Sequence, residues 1–330
     1  MRALAILTLA ITAPFAAHAQ CSGQDLIAAL SPGQLAPLRA AADAEPYAVG
    51  NFWRAVKGPE ELILVGTLHL DDPRFDVLVP AVLPYLTSAD LLLVEAGPTE
   101  IEQLKSHLAR DPSLLVNTDG PTLPEVLPEA EWRALSAAMT ARSVPGFMAA
   151  KFRPWYVSVL LSLPPCAMTG SMANGLDQRL MSLAEAQGIA ISGLEPYDTA
   201  FNIFQQVSPE QQLAMLSGAL AAEVQSEDMT ATLVNSYFAE DVRLNWEFTE
   251  FWVKSLPGSD PAAAEAEFAL FEKTLMNQRN EAWISVIEAA LDAQDGPVFA
   301  AFGALHLAGE RGVLNLLSGR GYQIERITLP

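Results

Sequence analysis

Histidine is scarce in this chain, with four among 330 residues. His18 falls in an apolar N-terminal stretch, which leaves His69, His107 and His306 for chemistry in the remainder. Cysteine is scarcer still. Cys21 and Cys166 stand alone and neither has CxxC spacing, which argues against a redox or zinc-thiolate centre. Basic residues are in deficit, 19 against 39 acidic ones for a net charge of −20, which argues against nucleic acid or an anionic membrane surface as partner. The plain reading of that acidity is solubility. No G-x-S-x-G elbow, H-E-x-x-H pair or glycine-rich phosphate loop occurs, and no serine stands out as the nucleophile of a triad. Beyond the N-terminus no apolar run approaches the length of a membrane span without a charge or proline.

The N-terminus itself has a recognisable form. Met1-Arg2 is followed by an almost unbroken apolar run from Ala3 to Ala17 and a small-x-small sequence, Ala17-His18-Ala19. This predicts a secretory signal peptide over residues 1–19, and a mature chain exported to the periplasm or the medium. An oxidising compartment would let Cys21 and Cys166 pair, tying the mature N-terminus to the middle of the chain.

Along residues 20–330 the pattern predicts a single α/β domain. Phe52–Val56 and Glu61–Val65 read as strands joined by a hairpin turn at Lys57-Gly58-Pro59-Glu60. Asp76–Leu86 has helical periodicity, and Asp90–Glu95 is a continuous apolar run ending in a carboxylate, the pattern of a strand buried on both faces. Strand, helix and strand in that order predict a βαβ unit with a parallel pair, so that His69 and Glu95 leave carboxyl-terminal strand ends, where open α/β sheets place their sites. Ile189–Leu194 reads as a short strand followed by Glu195. Residues from about 199 to 292 are helical in pattern and predict a helical insertion, in which Ala262–Asp292 forms one long helix. Arg279 falls on the apolar stripe of that helix, where it needs a carboxylate or an anionic ligand. The last unit is again strand, helix, strand, with Tyr322–Leu329 as an edge strand. His107 sits off its own helix's apolar face and reads as a surface residue. The fold class is therefore α/β, a central and mostly parallel sheet built from βαβ units, with an inserted helical subdomain.

Against the scarcity of histidine, one pentapeptide occurs twice. Gly66-Thr67-Leu68-His69-Leu70 and Gly303-Ala304-Leu305-His306-Leu307 agree at four of five positions, and each closes an apolar run. A glycine suits a strand turning sharply into a loop, or a close backbone approach, and the histidine three residues on projects from the strand end. A lone histidine so placed is most often a satisfied core or cap residue; the repeated pair points to chemistry. His69, Glu95 and His306 would supply nitrogen and oxygen ligands for one divalent ion, with an open position for water. Glu195 is the next candidate, as fourth ligand or general base, and Asp71 or Asp72 as partners that orient the ligands. Arg279 would polarise a carbonyl or hold a substrate carboxylate. If the two histidines share a site, their rings should lie roughly 4 to 8 Å apart.

With these residues the chain resembles the TraB/GumN (PrgY) family, related to the Tiki proteins. The resemblance rests on the two G-x-x-H motifs, on Leu91–Glu95 (LLLVE) and on Gly303–Gly309 (GALHLAG) with Gly312 and the following GRGYQI. Gly175-Leu176-Asp177, Gly193-Leu194-Glu195 and Asn277-Gln278-Arg279-Asn280 also stand where family features are expected. It runs from about Phe52 to Ile327. The resemblance implies a metal-dependent hydrolase, a manganese- or cobalt-dependent peptidase acting on a peptide or small molecule, and kinship with the erythromycin-esterase and ChaN-like fold. Two other expectations stand beside it. One is a metal-free esterase-like hydrolase in which one histidine is the base and Glu95 or Glu195 orients it. The other is a non-catalytic periplasmic protein that binds a metal or haem, or regulates.

Overall fold

The computed structural model describes residues 21–168, 174–256 and 259–329. The expected signal peptide lies outside the described residues. Six strands form the sheet: β1 (Phe52–Lys57), β2 (Glu60–Thr67), β3 (Leu91–Val94), β4 (Ala190–Gly193), β5 (Val298–Gly303) and β6 (Gln323–Arg326). Their spatial order is β4-β3-β5-β2-β1-β6. β2, β3, β4 and β5 run parallel, while β1 is antiparallel to both β2 and β6. The β1–β2 hairpin turns where the sequence places it, with Gly58 at φ +59°.

The first strand, helix, strand unit is present as β2, the helix Phe75–Thr87 and β3, but its two strands are not neighbours. β5 lies between them, pairing Val298 with Leu62 on one side and with Leu91 on the other. The C-terminal histidine strand is thus the centre of the parallel region.

Both faces of that region are buried, which explains its near-continuous apolar runs. On one face Ile63, Val65, Leu92, Val94, Phe299 and Ala301 pack under the helices Phe75–Thr87 and Leu176–Gln187. On the other, Leu62, Leu64, Leu93, Ala300 and Phe302 meet Trp283, Ile284, Ile287 and Leu291 of the helix Gln278–Ala293 and Val313, Leu314 and Leu317 of the helix Val313–Gly319. A third, purely helical cluster holds Leu135, Met139, Val157, Leu161 and Leu216 away from the sheet.

The described residues between β4 and β5 are helical, with no strand among them. The single long helix expected there is instead an α-helix Pro261–Phe271, a π-helical stretch Glu272–Asn277 and the α-helix Gln278–Ala293. An i→i+5 turn accommodates extra residues and so breaks the one continuous stripe read from the sequence. Cys21 and Cys166 form a disulfide, and the segment after Cys21 is further tied by Gln24 and Leu26 amides donating to Asp228 and Thr232. Among the described residues no helix is long and apolar enough to cross a membrane.

Candidate functional site

Register brings the site together. Thr67 lies opposite Gly303, and Val94 lies opposite both Ala301 and Gly193, so four parallel strands end at one edge. Each then turns out within a few residues of a polar side chain: His69, Glu95, Glu195 and His306. Two glycines make the close packing there possible. A Cβ on Gly66 would stand 2.7 Å from Leu307 and 2.8 Å from the Ala304 backbone, and one on Gly175 would stand 2.6 Å from the His69 carbonyl carbon. The Gly66 carbonyl also accepts from the buried Tyr237 hydroxyl at 2.8 Å.

The two histidines face one space. His69 Nε2 lies 4.0 Å from Glu95 Oε1. It also lies within 4 Å of the position a Cβ on Gly303 would take, as does His306 Cδ2. Their environments differ. The His69 side chain is 58% exposed, whereas His306 is 3% exposed, on a 3₁₀ turn (Ala304–His306) and with its ring centroid 4.5 Å from that of Trp283. Each ring is held through Nδ1: His69 by Asp177 Oδ1 at 3.1 Å, and His306 by Asn280 Oδ1 at 2.5 Å. With Nδ1–H engaged, the neutral His306 keeps its Nε2 lone pair, the tautomer in which a histidine accepts a proton or binds a metal, and His69 gains the same lone pair once it loses its Nε2 proton.

Arg279 closes the site. Its Nε and Nη2 donate to the two oxygens of Glu195 at 2.8 and 2.7 Å, and Nη2 also donates to Glu95 Oε2 at 2.7 Å. Nη1 donates to the Leu275 carbonyl and stands 3.3 Å from His306 Nε2. Trp283 Nε1 donates to Glu195 as well, so both oxygens of that carboxylate are engaged within the protein. Glu95 Oε1 accepts from the Gly303 amide at 2.7 Å.

These contacts set the charges. Burial alone would raise the Glu95 carboxyl, but neighbouring His306, Arg279 and His69, with the Gly303 amide, bring it down to about 2. His306 is itself held neutral, because burial and the nearby Arg279 and His69 outweigh Glu95 and lower it to about 3. The permanent positive charge beside Glu95 is therefore that of Arg279. His69 is raised to about 9, first by its contact with Asp177 and then by the charge of Glu95.

The other sequence expectations fall as follows. Asp71 pairs with Arg179 and Asp72 with Arg74, so neither orients His69; Asp177, in the first turn of the helix Leu176–Gln187, does so instead. Asn280 likewise comes from beside a named residue, one position after Arg279. His107 is half-buried rather than on the surface, with Nδ1 2.9 Å from the Tyr197 hydroxyl.

Among the described residues no three His, Cys, Asp or Glu side chains converge tightly enough to hold an ion as they stand. The donor chemistry nonetheless suits one. Two Nε2 lone pairs with oriented rings adjoin a carboxylate, and the negative charges of Glu95, Glu195 and Asp177 exceed the single positive charge of Arg279. With His306 neutral and His69 protonated the cluster is one positive charge short, and loss of the His69 proton makes the deficit two, the charge of a divalent cation.

Comparison with known proteins adds the family. The model of the TraB/PrgY/gumN family matches residues 51–326. The protein named YbaP of Escherichia coli (strain K12), described as uncharacterized, is 22% identical over 288 residues, covering 82% of this chain and 98% of the relative. Its counterpart in Shigella flexneri is 23% identical over the same length and coverage.

Proposed function

Because this chain belongs to the TraB/PrgY/gumN family, we propose that the His69, Glu95, Arg279 and His306 cluster is the site of an exported hydrolase, acting on amide or ester bonds with the help of one divalent metal. The observation that carries this reading is the pair of histidine Nε2 atoms brought from two parallel strand ends to one buried carboxylate, each ring fixed through Nδ1.

His69 Nε2, His306 Nε2 and the Glu95 carboxylate would hold the ion, manganese, cobalt or zinc. When bound, such an ion acts as a Lewis acid and brings the ionisation of a coordinated water into the neutral range. The chain's own residues account for the rest. Asp177 and Asn280 keep the imidazoles in the tautomer that leaves Nε2 free. Glu195 and Trp283 fix the guanidinium plane of Arg279, which keeps Glu95 ionised and is placed to polarise the carbonyl of a substrate. His69, the exposed member, faces the side from which a peptide or small molecule arrives, and its Nε2 would give up a proton when the ion enters.

A second reading, hydrolysis without metal, is favoured by the 3.3 Å approach of Arg279 Nη1 to His306 Nε2. In it one histidine is the general base that takes the proton of the attacking water, Glu95 or Glu195 orients it, and Arg279 is the electrophile.

Metal analysis of protein purified without chelator, alongside assays on a peptide and ester panel, separates the two. Near-stoichiometric manganese, cobalt or zinc, lost in both His69→Ala and His306→Ala together with turnover, is the expected result. An active but metal-free enzyme would leave the second reading standing and sink the first. Metal bound with no turnover across the panel would favour a binding or regulatory protein over an enzyme.

A further inference from the structure

A second cavity, of about 330 Å³, lies in the helical layer, at the opposite end of the helix Thr199–Gln205 from Glu195. Arg153, Trp155, Ser113, Gln205 and Gln212 line it. Its volume is that of a small-molecule pocket.

Arg153 donates through Nε to the Ser113 carbonyl at 2.5 Å. Its charge is felt by the exposed Asp111, yet among the described residues Arg153 makes no ion pair and its Nη atoms make no hydrogen bond. Arg142, in the same layer, shows what a structural arginine looks like here: it donates to the carbonyls of Ala138, Leu160, Leu161 and Leu163 and pairs with Glu223. In so acidic a chain a half-buried arginine without a carboxylate is unusual, since burial makes an unpaired charge costly.

Beside it stands a second unmet donor. Trp155 is 4% exposed, and its indole N–H has no acceptor among the described residues. The ring is held by stacking on Phe204, with centroids 4.7 Å apart and planes at 6°. Gln212 fixes the adjoining turn by donating to the Phe204 and Val207 carbonyls. The donors are thus on a rigid wall.

We propose that this cavity binds a carboxylate, gripped by the Nη atoms of the Arg153 guanidinium, with Trp155 as part of the wall. A planar monoanion matches the fork. The protein's net charge of −20 disfavours a multiply charged anion such as phosphate at the same place. The ligand is either a free small carboxylate or the carboxyl end of a peptide.

The test is titration of the mature chain with acetate, N-acetyl-L-alanine and an N-acetyl dipeptide, each organic acid beside its carboxamide, followed by calorimetry and by tryptophan fluorescence. Saturable binding of at least one acid with none of its amide is expected. Acetate alone would identify a free acid and the dipeptide alone a peptide end. Arg153→Gln should weaken binding about ten- to a hundredfold, at unchanged far-UV circular dichroism. Should Arg153→Gln fold poorly, Arg153→Lys serves, keeping the charge while losing the fork. His69→Ala should bind as wild type, which separates this site from the one proposed for hydrolysis. Absence of binding by all three acids, equal binding of acid and amide, or undiminished binding by the Arg153 variants would overturn the proposal.

Discussion

Arg279 joins two carboxylates that arrive on different strands, and little of any of the three side chains is open to water. Removing it leaves Glu95 and Glu195 without their cation. Arg279→Ala should therefore lower the unfolding free energy by about 3 kcal/mol, measured by urea denaturation. Arg279→Lys should recover only part of this, because an ammonium cannot serve both oxygens of Glu195 and one of Glu95 in a fixed plane. A loss below about 1 kcal/mol would mean that the carboxylates are paid in protons rather than by the guanidinium.

The same residues give the metal-free protein a stability optimum in pH. His306 titrates near 3 when folded and near 6.5 when unfolded, so the unfolded chain takes up a proton that the folded one refuses, and stability falls as pH drops from about 6.5 to 3. Glu95, lowered from 4.5 to about 2, adds to the loss below 4.5. His69 acts in the other direction: its contribution is complete below 6.5 and disappears as pH rises through about 9. Chelator-treated protein should therefore melt highest near pH 6.5, with the steeper decline on the acid side, since His69 is largely exposed and its contribution is screened. In His306→Gln the decline between 6.5 and 4.5 should flatten; an unchanged acid limb would show that His306 takes a proton in the folded state.

At the scale of elements, the disulfide ties Cys21 to Cys166 across 145 positions. Cys21→Ser with Cys166→Ser should cost about 3 to 5 kcal/mol by the chain-entropy argument, read as a drop in calorimetric melting temperature that reducing agent reproduces in the wild type. How far elements could be read from sequence depended on whether their cause was local. The strands β2, β3 and β5 were legible because burial on both faces writes an unbroken apolar run, and Arg279 was legible because a charge on an apolar stripe needs a partner. The insertion of β5 between β2 and β3 was not, since hydrophobicity fixes burial and not which buried strand is the neighbour. Asp177 and Asn280 stood within segments that the family resemblance marks, but their roles were not legible for a related reason: each serves a histidine far away in the chain, and only the fold brings the pair together. The π-helical stretch at Glu272–Asn277 was hidden because the residues on either side of it carry helical periodicity of their own.

For the whole molecule the dominant quantity is the net charge of −20. Self-repulsion at that charge opposes compactness, and salt shortens its range from about 30 Å at 0.01 M to about 8 Å at 0.15 M. The melting temperature should rise by a few degrees across that interval of sodium chloride, in differential scanning fluorimetry at pH 7. A flat response would imply that the acidic residues are already neutralised by the ion pairs on the surface.

The central position of β5 has a consequence in time. Synthesis reaches Val298 only after β1 to β4 and the helices that follow β4 have been made, yet β2 and β3 are joined in the sheet only through that strand. A nascent chain can form the β1–β2 hairpin and the helices as it emerges, but it holds two open strand edges until the end. The last strand of the parallel region to arrive is the keystone, and it carries His306 immediately behind it. Closure of the parallel region and completion of the histidine pair are therefore a single late event, governed by contacts of long sequence separation and correspondingly slow, so that an unfinished chain has neither a finished fold nor the complete pair.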